Sequence, residues 1–283
     1  MAAAPGPALI RLAVRCAPGA AERVLAELLV LAPNGVEEDE GPGWVEYAVY
    51  GAPGEMPELG SVEALADDAP IEVRTEEVPD DWSDRWRDFH EPVWIADRVL
   101  IRPSWVEADR RPEVEVVTDP GQAFGTGAHP TTRMCVEMLL DAADAGEARG
   151  TLADLGTGSG VLAITATKLG FGPVVAVDSE PAALEAASAN AAANGVELEV
   201  ARVNLREQVP PLAETVVANL TAPLLKGVAS LLAPQPDWTP RRLLCSGLLV
   251  HEADDVAAAF EAVGLEVQGR RQSGDWAAIG FRA

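Results

Sequence analysis

The stretch Leu152-Ala153-Asp154-Leu155-Gly156-Thr157-Gly158-Ser159-Gly160-Val161-Leu162-Ala163, followed by Val174-Val175-Ala176-Val177-Asp178, decides the fold. Leu152 to Leu155 form a short apolar run ending at glycine, as a parallel strand buried on both faces does. Gly156, Gly158 and Gly160 remove Cβ atoms that would hold a ligand away from the main chain, and they permit positive φ in a tight turn. Val161 to Leu169 then reads as a helix, and Asp178 closes a valine-rich second strand. A carboxylate there can accept hydrogen bonds from both hydroxyls of a ribose.

The spacing narrows the ligand. A dinucleotide site calls for Gly-x-Gly-x-x-Gly, but the glycines at 156, 158 and 160 are spaced Gly-x-Gly-x-Gly, and Val161 stands where the third glycine should be. No Gly-Lys-Ser/Thr follows, which excludes a phosphate-cradling P-loop. A cofactor with a ribose and no pyrophosphate fits better. S-adenosyl-L-methionine, leaving S-adenosyl-L-homocysteine, is such a molecule, and the stretch resembles the first two motifs of class I methyltransferases.

Downstream, Pro181 to Asn194 carries a helix signature, with proline in the first turn, an alanine-rich interior and Asn194-Gly195 at the exit. Leu198–Arg202, Thr215–Leu220 and Arg242–Ser246 read as strands, and Leu224–Leu232 and Glu252–Val263 as helices. Alternation of strand and helix predicts a parallel sheet covered on both faces, with the ligand at the carboxyl ends of the strands. The segments from Leu265 and from Ala277, separated by Ser273-Gly274-Asp275, read as a hairpin. The expectation is an α/β fold: a Rossmann-like class I methyltransferase domain whose seven-stranded sheet has its last strand antiparallel.

Ahead of it, strands at Leu9–Cys16, Val36–Glu40, Trp44–Tyr50 and Ile71–Val78, with helices at Ala20–Leu31 and Met56–Leu65, give the order βαββαβ of a small ferredoxin-like α+β domain. The predicted division is this small domain over 1–78, a scaffold with no implied chemistry of its own, a linker helix over 79–94 carrying Trp82 and Trp86, and the methyltransferase domain over 95–283.

Composition bounds the rest. The 283 residues suffice for one large and one small core. Three isolated cysteines argue against disulfides and zinc, and no metal site is expected. No stretch approaches membrane-spanning length and no signal-peptide pattern opens the chain, so a cytoplasmic protein without membrane partners is expected. The net charge is −24, and residues 34–91 hold eighteen acidic residues against three arginines. Such a surface repels nucleic acid and attracts a basic partner. It equally fits a solvated acidic face in an acidic proteome, as two lysines against nineteen arginines suggest.

A second stretch, Asp119-Pro-Gly-Gln-Ala-Phe124-Gly-Thr-Gly-Ala-His129-Pro-Thr131-Thr132, reads as a loop leading into a helix that starts near Arg133, where a threonine can cap the helix and also face a ligand. This loop resembles the signature of PrmA-type ribosomal-protein methyltransferases, which act on large-subunit protein eleven. Trp82 to His90, Arg102-Pro-Ser-Trp105 and Val217-Ala-Asn219-Leu220 with Pro223 are similar to the same family, so the likeness runs from about Trp82 to the end of the chain. It implies cofactor contacts at Thr132, Gly156, Asp178 and Asn219, with Phe124 in a loop that closes over the methionine moiety. Gly158, Gly160 and Leu220 complete the expected cofactor site. Thr221-Ala222-Pro223 departs from the family pattern after Asn219-Leu220.

Methyl transfer to an amine needs alignment and a neutral nucleophile. Deprotonating a lysine near neutral pH costs roughly 4–5 kcal/mol, and desolvation offsets much of that, so no strong base is required. Asn219 is a candidate for orienting the amine or binding the cofactor. His129 is a candidate proton acceptor, although a histidine before proline in a glycine-rich loop is more often a backbone-bonding element. The resemblance implies methylation of a basic ribosomal protein at lysine side chains, with the α-amine as a further acceptor and with residues 1–78 as the substrate-recognition domain; a monomer is expected. The alternatives are methylation of another protein's lysine, methylation of nucleic acid, and a non-catalytic cofactor-binding module. The Asp/Asn-Pro-Pro-Tyr/Phe motif of adenine-amine enzymes is missing at Asn219.

Overall fold

The computed structural model describes residues 9–21, 24, 25, 28, 36–51, 71–78, 92–118, 127–235 and 240–283. The chain divides into two compact units, Met1–Phe89 and His90–Ala283.

In the first unit, β1 (Leu9–Cys16), β2 (Glu37–Gly41), β3 (Trp44–Gly51) and β4 (Ile71–Val78) form one sheet in the order β2-β3-β1-β4. Every neighbouring pair is antiparallel. That order results when two β-α-β units interleave so that each crossover skips one strand, as the ferredoxin-like pattern requires. Val24 and Leu28, one helical turn apart, bury their side chains against Leu12, Val14, Val45 and Tyr47. The carboxylate of Glu46 lies between Arg11 and Arg15, which project from the same face of β1. On the edge strand β2, Glu37 to Glu40 are all exposed. The expected helix Met56–Leu65 lies outside the described residues.

The second unit opens with a small sheet absent from the sequence reading: β5 (Val93–Ile95), β6 (Val99–Arg102) and β7 (Val114–Val117). Val93 and Trp94, expected at the end of the linker helix, belong to β5; residues 79–91 of that linker lie outside the described residues. The hairpin between β5 and β6 turns at Ala96 and Asp97, both at positive φ, a turn normally signalled by Asn-Gly. With that cue missing and strands of three or four residues, no local pattern marks the sheet.

The large sheet contains β8 (Leu152–Leu155), β9 (Val174–Asp178), β10 (Glu199–Arg202), β11 (Thr215–Asn219), β12 (Arg242–Leu249), β13 (Glu266–Ser273) and β14 (Trp276–Arg282), in the order β10-β9-β8-β11-β12-β14-β13. Strands β8 to β12 run parallel, while β14 inserts antiparallel between β12 and β13. The expected seven strands and antiparallel last strand are therefore present.

Among the described residues, five α-helices accompany the sheet: α1 (Pro130–Asp144), α2 (Val161–Leu169), α3 (Pro181–Ala193), α4 (Ala222–Leu232) and α5 (Ala253–Glu261). Successive strand residues point to opposite faces. Leu152, Ala176, Val217 and Leu244 accordingly pack with α1 and α2, whereas Ala153, Val177, Val216 and Leu243 pack with α4 and α5. Both faces are covered, which is why β8 and β11 lack the alternating pattern of a half-solvated strand. The chain leaves β8 toward β9 and β10, then returns to β11 on the other side. The switch in direction at the carboxyl ends of β8 and β11 is where such sheets open a crevice.

Candidate functional site

Gly156, Gly158 and Gly160 all take positive φ, at 72°, 52° and 81°. The amides of Gly156 and Thr157 both donate to the Val177 carbonyl, at 2.8 and 3.0 Å, tying the turn to β9. The Gly158 amide donates to Asp178 Oδ2 at 3.0 Å, and the Glu180 amide to Oδ1 at 3.1 Å. One carboxylate thereby fixes both the turn after β8 and the turn after β9, and each of its oxygens retains acceptor capacity.

The cleft at this point is lined by Gly156, Thr157, Gly158, Asp178, Thr132, Asn219 and Leu220, together with Val161, Leu162, Ser179, Val203, Asn204, Leu205, Arg206 and Leu224. Six of the expected site residues share this wall although they come from four separate elements and turns. Gly160 has a different duty: a Cβ there would lie 3.1 Å from the Cα of Ala187, so its bareness lets α3 approach the start of α2. Phe124 lies outside the described residues, as does the rest of 119–126. The strand leading into that loop is anchored by Asn194, whose side chain bonds both the amide and the carbonyl of Val117.

At the start of α1 the cap falls to His129 rather than to a threonine. Its Nδ1 lies 2.7 Å from Thr131 Oγ1 and 3.4 Å from the Thr131 amide, and its ring meets Trp276 edge-on at 4.8 Å. Burial holds the imidazole below its ordinary pKa. Thr132 is buried in the first turn, where its hydroxyl accepts a hydrogen bond from Asn219 Nδ2 at 3.2 Å. His129 does not belong to the cleft wall.

Three features were missed in the sequence. Asn204 and Leu205 follow β10 and line the cleft; the rule that ligands sit at carboxyl ends of strands would have found them. Gly247 sits in a bulge of β12 at φ 89°, and a Cβ there would lie 2.5 Å from the Leu220 carbonyl oxygen; an isolated glycine in a strand is the usual sign of such an approach. Asp154, absorbed into an apolar run, is fully buried. Its Oδ2 accepts from the Thr157 hydroxyl at 2.7 Å and the Ala163 amide at 3.2 Å, while Oδ1 has no partner. Among the described residues, no group of histidines, cysteines and acids could hold a metal, and the three cysteines are free and buried. No described helix is long and apolar enough to cross a membrane.

A sheet in this order with its antiparallel insertion, a glycine turn after the first central strand and an acid at the tip of the next define a class I methyltransferase fold. Residues 55–283 match the family model of the ribosomal protein L11 methyltransferases (PrmA), and the chain belongs to that family. It is 40% identical over 211 residues to the ribosomal protein L11 methyltransferase of Pelotomaculum thermopropionicum, an alignment covering 72% of this chain and 66% of that protein. With that of Desulforamulus reducens it shares 37% identity over 221 residues, covering 74% and 68%. The chain thus spans about two thirds of the length of these relatives, and just under that for the first. The crystal structure of a ribosomal protein L11 methylase from Lactobacillus delbrueckii subsp. bulgaricus superposes with a TM-score of 0.58 at 28% identity, covering 68% of this chain and 98% of that one.

Proposed function

We propose that this chain catalyses the S-adenosylmethionine-dependent N-methylation of ribosomal protein L11, at lysine side chains and at the α-amine. The observation that carries the reading is the convergence of Asp178, the bare turn Gly156-Thr157-Gly158 and the Asn219–Thr132 pair on one cleft, in a chain of this family.

The residues present fit the cofactor. Asp178, held by two backbone amides, retains lone pairs for the ribose hydroxyls. Gly156 and Gly158 put main chain on the cleft wall, and a Cβ at Gly156 would collide with the Leu220 side chain. Leu205, Val203 and Leu224 offer an apolar surface for a base, and Asn204 a polar group beside it. S-adenosylmethionine supplies an electrophilic methyl when bound. Asn219, its amide nitrogen committed to Thr132, presents its carbonyl oxygen from a fixed orientation, which suits the cofactor or the incoming amine. Among the described residues, no histidine, lysine, tyrosine or cysteine lines the cleft wall, in keeping with a reaction whose main demands are alignment and desolvation of the amine.

A basic ribosomal protein also suits the acidic first unit, where Glu37 to Glu40 are exposed along an edge strand. Nucleic acid as a direct ligand is disfavoured by the same charge. We infer further a cytoplasmic monomer. The test is incubation of the purified chain with L11 and isotopically labelled donor, followed by mass spectrometry of the product. Labelled lysines or a labelled N-terminus support the reading, and an unlabelled L11 rejects it.

A further inference from the structure

The chemistry of Asp154 is left unused by the reading above. Its carboxylate is fully buried beneath the glycine turn, and neither a described lysine, arginine nor histidine bonds to it. Among the described residues its hydrogen-bond partners are the hydroxyl of Thr157, which lies on the cleft wall, and the Ala163 amide; Oδ1 accepts no hydrogen bond from them. A buried carboxylate without a counter-ion is costly unless it takes a proton or a cation arrives beside it. The adjoining cleft is open to a ligand from outside, and the segment 119–126, which precedes α1, contains no basic residue.

We propose that Asp154 is a specificity-determining residue that reads the net charge of the nucleotide ligand, favouring the sulfonium donor over its neutral thioether product. The proposal rests on the cleft being the S-adenosylmethionine site. The amino-acid end of that ligand holds an ammonium and a carboxylate on one carbon, so at a distance it acts as a dipole. The sulfonium is a net positive charge whose field falls off more slowly, and it is lost on methyl transfer. A carboxylate one hydroxyl removed from the cleft therefore distinguishes donor from product chiefly by that charge. Ionised, it retains the donor and lets the product leave.

Protonation makes the device sensitive to pH. Burial pushes the Asp154 carboxyl up to about 7, against the lowering effect of Thr157 and Ala163 and with a further rise from Asp178. Among the described residues, Asp178 closes β9, the Cys135 thiol projects from α1 and feels Asp154, and His129 caps α1 with its pKa lowered by burial. Within α2 the only charged residue is Lys168, bonded away to the Glu115 carbonyl and Asn194; β11 has none. A cation in the cleft favours the ionised form, so donor binding expels a proton while product binding does not.

Titration calorimetry with the full chain tests this, using S-adenosylmethionine and S-adenosylhomocysteine from about pH 6 to about pH 8.5 in buffers of different ionisation enthalpy. The expected result is a donor-to-product affinity ratio that rises with pH, by at most about tenfold per unit below neutrality, and levels off above it. Near the midpoint, donor binding releases a fraction of a proton and product binding none. In Asp154→Asn the ratio is low and flat, which also separates this residue from His129. A pH-independent ratio in the wild-type chain, equal proton release for both ligands, or an unchanged slope in the variant overturns the proposal. Equal proton release for both ligands in the wild-type chain overturns the proposal even if the variant fails to fold. Binding of neither ligand at any pH overturns the cofactor reading itself, and this inference with it.

Discussion

The side-chain amide of Asn219 donates to the hydroxyl of Thr132 at 3.2 Å, joining the carboxyl end of β11 to the first turn of α1 across 87 positions of sequence. The bond orients the asparagine: with its nitrogen turned toward the helix, its oxygen is the group left to meet a ligand. Thr132→Val keeps the shape and deletes the acceptor. The expected outcome is a loss of about 1 kcal/mol in S-adenosylmethionine binding, roughly fivefold, with little change in melting temperature. Calorimetry and a thermal scan measure the two quantities, and an unchanged affinity removes Thr132 from the site.

Asp178 holds two turns at once through the Gly158 and Glu180 amides. Asp178→Ala is expected to reduce cofactor affinity by at least about tenfold, since both the ribose acceptor and the anchor of the glycine turn disappear. Asp178→Asn, which keeps one acceptor oxygen, should fall between. Equal affinities for all three proteins would contradict this role.

Gly247 permits β12 to pass close behind Leu220. A methyl group there collides with the backbone of Leu220 from a residue already at φ 89°. Gly247→Ala is therefore expected to destabilise the protein by at least about 2 kcal/mol and to weaken cofactor binding by shifting Asn219. Chemical denaturation gives the first figure and calorimetry the second; a variant of native stability would show that the bulge relaxes freely.

Asp154 also makes stability depend on pH. Its carboxyl is held at about 7 when folded and reverts to an ordinary value near 3.8 when unfolded. The folded state thus binds the extra proton between those limits. The resulting stabilisation is full below the unfolded value and is lost as pH rises through about 7. Asp154→Asn should lack this decline, so the stability difference, variant minus wild type, should grow from about pH 5 to about pH 7.5. A difference constant with pH, followed by thermal or urea unfolding, would contradict the assignment.

Glu147 accepts from Arg282 at 2.7 and 2.9 Å and from Arg242, whose guanidinium is buried. Glu147→Ala leaves that charge uncompensated and is expected to cost about 3 kcal/mol of stability, read from denaturant midpoints. Midpoints equal to the wild-type value would show that Arg242 finds another partner.

Local pattern carried the elements whose signals lie within a few residues. The glycine turn and Asp178, the proline-led helix α3 and the closing hairpin were legible because backbone φ, capping and burial on both faces each dictate residue type at short range. The small sheet β5-β6-β7 was not, since its hairpin turns on Ala96-Asp97 rather than on a recognisable dipeptide. By residue type a threonine can cap α1, yet the cap is His129, two residues before Thr131; its ring accepts from the Thr131 amide as a backbone-bonding histidine does.

The sequence by itself determined the class of fold, the glycine turn and Asp178 on the cleft wall, and the family likeness in the loop before α1, because these depend on residue type and spacing along the chain. Only the tertiary structure decided which residues share a wall. It separated Gly160, bare for the sake of Ala187, from Gly156 and Gly158, which face the cleft. It paired Asn219 with Thr132 and set Gly247 behind Leu220. It also showed Asp154 to be a carboxylate buried without a counter-ion. Burial and pairing arise between segments far apart in sequence, and desolvation acts on a charge only once distant parts of the chain have closed around it.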